Sequence, residues 1–291
     1  MSPALGLALD HYRRFYAEEI GAVAGIRSQA LIEAFATVPR EHFLGPGPWK
    51  LGSLDFGMNL APRYVSTEDA DPRRIYHNVL VSIDETRHLN NGAPSALASW
   101  LDALDIREGE RVVHVGAGVG YYSAILAQVV SPRGSVVAIE VDEKLASRAR
   151  ANLPGWNTVE VVSGDGSCYD PGPVDAIFVN AGVMYPSSLW LDRLKPGGRL
   201  VYPLTFDADT GGKGCMLLVK REGESYAARC IGFVMIYSCT SLRDPELNGA
   251  LMKQIGSGKI FSAQSLRRDQ HEADDTCLVH AKDSCLSSKL I

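Results

Sequence analysis

Residues 111–127, RVVHVGAGVGYYSAILA, constrain the fold more than any other part of the chain. Residues 112–115 are a short apolar run of the kind that makes a buried strand, residues 116–120 are a glycine turn, and residues 121–130 carry a helical pattern. A strand, a glycine turn and a helix start in that order make a nucleotide-type site. Glycines let the backbone approach a ligand closely, and the first helical turn presents N–H groups with no intrahelical partner.

The pattern that follows alternates. Residues 135–141 (SVVAIEV) predict a second strand, and Asp142 is placed to cap the helix EKLASRARANL. Residues 158–163 predict a third strand, 174–179 a fourth, 186–194 a short helix, and 199–204 a fifth strand after the turn Lys195-Pro196-Gly197-Gly198. Short apolar strands separated by helices imply a parallel sheet covered on both faces. The alternation stops at residues 215–220 and 226–237, which read as a hairpin around Arg221-Glu222-Gly223-Glu224. The expected fold is therefore α/β: a Rossmann-like, seven-stranded mixed sheet of five parallel strands and then an antiparallel pair, with helices on both faces.

Upstream, residues 1–44 read as helical, with Tyr12, Phe15, Tyr16 and Ile20 at helical spacing and a break at Pro39. Residues 45–75 are rich in Gly, Pro and Asp and form a long excursion, a binding lid or a packed surface insertion. Residues 76–84 predict a strand, and Pro94 suits the first position of a helix whose Leu97, Trp100, Leu101 and Leu104 share one face. The expected organisation is an N-terminal helical, substrate-side segment (1–95) with the inserted loop 45–75, a core (96–244) and a C-terminal extension (245–291). The extension carries a helix candidate at 245–255 and a short apolar piece at 277–280.

The net charge of −5 comes with no long basic run, so nothing supports nucleic-acid binding. No apolar segment reaches membrane-spanning length, and the first residues lack the ordered regions of a secretory signal. The cytoplasm is the expected location. Six cysteines are spread out with no C-x-x-C pair, so free thiols and no metal site are expected. Cys277 and Cys285 could meet across a hairpin, but a disulfide is not expected in the cytoplasm.

Gly116, Gly118 and Gly120 give G-x-G-x-G, and Tyr121 stands where a dinucleotide fingerprint needs its last glycine. Glu140 lies 20 residues beyond Gly120 at the end of the second strand, where a carboxylate can accept both hydroxyls of a ribose. A solvated strand-end acid is the alternative. Asp165, in Ser163-Gly164-Asp165-Gly166 after the third strand, can accept from the exocyclic amine of adenine or simply make a turn. Three such positions at the carboxyl ends of successive strands line one crevice and together point to an adenosine-containing ligand.

The segments VVHVGAGVGYYSAIL, VVAIEVDEKLASRARANL, VVSGDG, VDAIFVNAGV and LDRLKPGGRLVYPL together resemble a class I S-adenosylmethionine-dependent methyltransferase. More narrowly, they and the upstream RSQALIEAFATVPREHFLG resemble the protein-L-isoaspartate O-methyltransferase family, over roughly residues 12–44 and 76–240. The resemblance implies that Gly116, Gly118, Gly120, Glu140, Asp165 and Gly166 hold S-adenosyl-L-methionine. His114, Ala117, Tyr121, Val141 and Asn180 are assigned to the same site. It also implies methyl transfer to a carboxylate or hydroxyl oxygen of a peptide or small-molecule acceptor, with no nucleic-acid or membrane partner.

Two departures stand out. His114 replaces the acid that the family usually carries two residues before its first glycine, and a neutral His can only accept one hydrogen bond. Asn90-Asn91-Gly92-Ala93-Pro94 stands where the family has a T-[IV]-S-x-P-type segment whose hydroxyls help hold an isoaspartyl substrate. The first bears on the ammonium of the cofactor's methionine part, and the second on the acceptor, which is then an isoaspartyl peptide or a modified peptide or small molecule.

Methyl transfer from a sulfonium is an in-line displacement in which the enzyme mostly supplies positioning, with reacting atoms about 3–3.5 Å apart. A carboxylate acceptor needs no base; a hydroxyl needs one within hydrogen-bond reach. His88, near Asp84 and Glu85, is the candidate base, and Asn91, with Asn90 and Asn180, is a candidate to orient an acceptor. Each also reads as a local turn or surface residue. A natural-product methyltransferase on the same scaffold and a non-catalytic S-adenosylmethionine-binding protein are the alternatives. A nicotinamide oxidoreductase is opposed by the G-x-G-x-G spacing and the terminal hairpin.

Overall fold

The computed structural model describes residues 3–52, 64–208 and 211–290. In chain order its first elements are α1 (Pro3–Ala24), α2 (Gln29–Thr37), α3 (Arg40–Leu44), β1 (Lys50–Gly52), β2 (Tyr64–Ser66), β3 (Leu80–Asp84), β4 (Leu89–Asn90) and α4 (Pro94–Ala103). Then come β5 (Arg111–Val115), α5 (Tyr121–Val130), β6 (Ser135–Glu140), α6 (Glu143–Asn152), β7 (Val159–Ser163), β8 (Val174–Val179), α7 (Ser188–Arg193) and β9 (Leu194–Ala208). The last are β10 (Gly211–Glu222), β11 (Ser225–Ile236), α8 (Pro245–Gly256), β12 (Ser265–Arg267), β13 (Cys277–His280) and β14 (Cys285–Ser287).

The chain forms two compact units. The first comprises residues 1–109, 117–138 and 142–162. Its helices start where local chemistry sets them. The Ser28 hydroxyl accepts from Leu31 N at the start of α2, Pro94 takes the first turn of α4, and Asp142 accepts from Lys144 N and Leu145 N to cap α6. The break expected at Pro39 is brief, because Pro39 itself precedes α3 and the chain turns helical again at Arg40. The excursion at 45–75 lies partly outside the described residues; its described parts supply β1, β2 and a 3-10 turn at Pro72–Ile75. The strands order β2-β1-β3-β4 in a four-stranded sheet.

The strand expected at 76–84 begins only at Leu80. The fully buried Arg40 accounts for this. Its Nη1 donates to Ile75 O and His77 O at 2.6 and 3.1 Å, and its Nη2 to Val79 O at 2.9 Å. Those carbonyls are therefore committed to a side chain rather than to a ladder. Tyr16, Phe35 and Tyr76 pack edge-on around the same place, with ring centroids 6.2 and 5.6 Å from Tyr16.

The second unit comprises residues 110–116, 139–141 and 163–291. The large sheet orders β13-β14-β12-β11-β10-β9-β8-β5-β6-β7, of which β6 and β7 fall mostly among the first unit's residues. β5 and β8 pair in parallel, as do β8 and β9, whereas β9–β10 and β10–β11 are antiparallel. The mixed α/β character is as expected, but the seven-stranded count is corrected to ten. Residues beyond 256 add β12, β14 and β13, all antiparallel, on the outer side of β11 through the pair Ala227↔Ser265. Left open, that edge would expose unpaired backbone groups, which gives the extension a physical reason to cover it. No helix among the described residues is long and apolar enough to cross a membrane.

Candidate functional site

Within the second unit, backbone hydrogen bonds hold four strand ends side by side. Gly116 N donates to Ile139 O at 2.9 Å, Gly164 N to Glu140 O at 2.9 Å, and Asn180 N to Val115 O at 2.8 Å. His114, Gly116, Glu140, Val141, Asp165, Gly166 and Asn180 are thereby brought together.

Gly116 has φ 77°, and a Cβ there would lie 3.0 Å from the Asn180 carbonyl oxygen, so only glycine fits between the first and fourth strand ends. Gly166 is equally confined: a Cβ would meet Val115 Cγ1 at 2.6 Å, and its carbonyl accepts from Trp190 Nε1 at 2.8 Å. Glu140 is 6% exposed, while Val141 beside it is 53% exposed, so the crevice wall changes from carboxylate to apolar surface within one residue.

The Asp165 Oδ1 accepts from Ser167 N at 2.8 Å and from the Ser241 hydroxyl at 3.1 Å. These two bonds fix the carboxylate's direction. His114 is fully buried, its ring tilted on Phe178 with centroids 5.2 Å apart. Burial pushes its pKa down to about 3, so the imidazole is neutral near pH 7. It cannot supply the negative charge of the acid that it replaces.

The segment after β11 completes this region, and sequence reasoning missed it. Gly182 N donates to Tyr237 O at 2.8 Å, Cys239 N to Gly182 O at 2.8 Å, and Met184 N to Leu242 O at 3.0 Å. Residues 237–242 thus run along the loop after β8. Arg243 pins them, donating from Nη1 to Gly182 O and Thr205 Oγ1, both at 3.1 Å, and from Nη2 to Asp207 Oδ1 at 2.5 Å. Ser-Leu-Arg-Asp at 241–244 carries no motif that would have marked it.

The remaining predicted residues belong to the first unit. Gly118 has φ 57° and open space around its would-be Cβ, as a backbone that a ligand approaches would need. Gly120 N donates to Ala117 O at 3.0 Å; Gly120 has φ 93°, and a Cβ would meet Leu153 Cδ1 at 2.9 Å. Tyr121 is buried, packed on Phe43 with centroids 5.6 Å apart. His88 and Asn91 differ sharply. His88 is an exposed turn residue with φ 56° between β3 and β4. Asn91 is 7% exposed, its N donates to Val81 O at 2.9 Å, and its Nδ2 is buried with no hydrogen-bond partner among the described residues.

A cleft of about 850 Å³ in the first unit, among Arg27, Gln29, Asp102, Glu108 and Gln128, contains none of these residues. The strand-end cluster is the better candidate because it offers what an adenosine needs: carboxylates at two successive strand ends and a turn too tight for any side chain.

Comparison with known proteins agrees with the geometry. Residues 18–237 match the protein-L-isoaspartate(D-aspartate) O-methyltransferase family profile. Protein-L-isoaspartate O-methyltransferase 1 of Archaeoglobus fulgidus is 35% identical over 159 residues, covering 50% of this chain and 74% of that protein. Among solved structures, a protein-L-isoaspartate O-methyltransferase superposes with TM-score 0.63 at 23% identity, over 80% of this chain and 69% of that one. A Plasmodium falciparum protein assigned to the same activity, in complex with S-adenosyl-L-homocysteine, gives 0.57 at 15% identity, over 79% and 99%. At these identities the structural matches speak to the fold alone.

Proposed function

The chain belongs to the protein-L-isoaspartate(D-aspartate) O-methyltransferase family and is an S-adenosylmethionine-dependent methyltransferase, and from that premise we propose that it esterifies a carboxylate on an acceptor other than an ordinary isoaspartyl peptide. The acceptor is a modified peptide or a small molecule, met in the cytoplasm. The observation that carries this reading is Asn91. Its buried Nδ2 has no partner among the described residues, and it stands in the segment where the family's hydroxyl residues hold isoaspartate. An unpaired buried amide donor costs free energy unless a ligand satisfies it, and a carboxylate oxygen is the acceptor that does so best.

In this reading Glu140 accepts the ribose hydroxyls and Asp165, aimed by Ser167 and Ser241, accepts from the adenine amine. Gly116, Ala117, Gly118 and Gly120 supply close backbone, with Tyr121, Val141, Gly166, Asn180 and the packed His114 shaping the surroundings. The bound cofactor supplies an electrophilic methyl group on a sulfonium. The Asn91 amide would hold one oxygen of an acceptor carboxylate and leave the other free. A carboxylate is already ionised near pH 7, so no general base is needed. His88, exposed in its turn, is then not needed as a base.

The experiment is a radiolabelled methyl-transfer assay with S-adenosyl-L-methionine, run beside a repair enzyme of the family. Base-labile label on carboxylate-bearing modified peptides or small acids, with kcat/KM on an isoaspartyl peptide at least about a hundredfold below the repair enzyme, is the expected result. That hundredfold corresponds to about 2.7 kcal/mol of lost transition-state binding. Parity with the repair enzyme on isoaspartate overturns the reading.

A further inference from the structure

We propose that the C-terminal extension binds one zinc ion through His271, Cys277, His280 and Cys285. One potential ligand atom from each of the four lies within 4.8 Å of every other. All four lie beyond residue 237, where the family match ends, so nothing in the family's shared fold accounts for them. The proposal stands apart from the methyl-transfer reading.

The backbone explains how they converge. β13 and β14 form an antiparallel pair in which His280 is directly opposite Cys285 and Cys277 opposite Ser287. Residues three apart on a regular strand point to opposite faces, which would separate Cys277 from His280. The register shifts between Cys277 and Val279, and this irregularity inserts one residue into β13. Cys277, His280 and Cys285 are thereby placed on one face of the hairpin. His271 comes from the irregular loop between β12 and β13.

The geometry around the cluster is that of ligands already oriented. His271 Nε2 lies 3.5 Å from Cys277 Sγ. A tetrahedral zinc with sulfur and nitrogen ligands has edges of about 3.3–3.8 Å, so this pair already matches and the others close by side-chain torsion. The far nitrogen of the same ring, Nδ1, is 2.9 Å from Asp269 O and 3.3 Å from the Asp269 carboxylate. This backing bond is what metal-ligating histidines use to fix tautomer and direction. The His271 and His280 rings stand nearly perpendicular, at 79° with centroids 4.8 Å apart, so both imidazoles border the same space.

Asp274 N points at Cys277 Sγ from 3.3 Å, a donor suited to a thiolate. The two nearby carboxylates are held by Arg267, at 2.7 Å to Asp269 and 3.3 Å to Asp274. A two-sulfur, two-nitrogen tetrahedral set selects zinc over magnesium or calcium, and four protein ligands leave no open position. The site is structural. It ties the irregular loop at 268–276 to the edge hairpin of the sheet. The expectation of no metal rested on the missing C-x-x-C, whereas here the nearest ligands are spaced C-x-x-H.

The test uses the tag-free full-length chain purified under reducing conditions. One zinc per chain by elemental mass spectrometry is expected. After chelation, added cobalt(II) should give a thiolate charge-transfer band and strong tetrahedral visible bands. Cys277→Ser and Cys285→Ser should abolish the charge-transfer contribution of the missing sulfur. His280→Ala, at an exposed position and so the safest for folding, should weaken zinc binding at least about a hundredfold, since even outer-shell losses cost about 10–100-fold. The proposal is overturned by reduced protein that takes up neither metal. It is also overturned by binding unchanged in all three variants, or by an intact mass 2 Da low that maps to a Cys277–Cys285 disulfide.

Discussion

The Ser241 hydroxyl donates a 3.1 Å hydrogen bond to Asp165 Oδ1, joining a residue after the last core strand to the turn that follows the third. Asp165 Oδ1 is also held by Ser167 N. Replacing Ser241 by Ala leaves the carboxylate one anchor. We expect S-adenosylhomocysteine affinity to fall several-fold, about 0.5–1.5 kcal/mol, because the lost bond aims the carboxylate and does not itself touch the ligand, with little change in thermal midpoint. Calorimetric titration reads this directly, and unchanged affinity would remove Ser241 from the site.

Glu140 should matter more than Ser241. It is a buried carboxylate at the end of β6. Glu140→Ala is expected to weaken cofactor binding by about 1–3 kcal/mol, roughly 5–150-fold, because the ribose hydroxyls lose their acceptor. An affinity equal to that of the unaltered protein would exclude Glu140 from cofactor recognition.

Arg40 is fully buried and holds the carbonyls of Ile75, His77 and Val79. Arg40→Met removes the charge along with its donors; His77 O keeps Val79 N at 2.8 Å, while the carbonyls of Ile75 and Val79 must find other donors. A loss of about 3–5 kcal/mol is expected. Arg40→Lys should not rescue it, because an ammonium cannot span the same acceptors in a fixed plane. Urea unfolding of both variants decides the point, and a loss under about 1 kcal/mol in either would show that the segment at 75–79 is held by something else.

His114 makes stability depend on pH. Burial lowers its folded pKa to about 3 from an ordinary value of 6.5. Above pH 6.5 the ring is neutral in both states and contributes no slope. Between pH 6.5 and about 3 only the unfolded chain takes the proton, so stability falls as pH falls, by up to about 1.4 kcal/mol per unit. In His114→Asn that contribution disappears. Urea midpoints from pH 7 down to 5 should therefore decline less steeply for the variant than for the parent; parallel declines would mean that His114 is protonated in the folded chain.

The strand–glycine–helix unit was legible in the sequence because its determinants are local. β5, α5 and β8 lie where periodicity places them, and Asp142 caps α6 as its position indicates. Glu140 and Asp165 could be picked out because strand ends in this architecture fall at a regular spacing along the chain. A helix turn or an alternating strand is written within a few neighbouring residues, so a reader of the sequence has all the terms in view.

What the tertiary structure decided depends on partners far apart in the chain. Ser241 reaches Asp165 across 76 residues, and Arg40 meets Val79 across 39. The three added strands exist because a polar tail finds the edge of β11, which no local pattern announces. The cluster of His271, Cys277, His280 and Cys285 turns on one register shift in β13. Pairing energy between distant strands sets register and edges, and side chains such as Arg40 and Ser241 acquire a role only once folding has brought their acceptors to them.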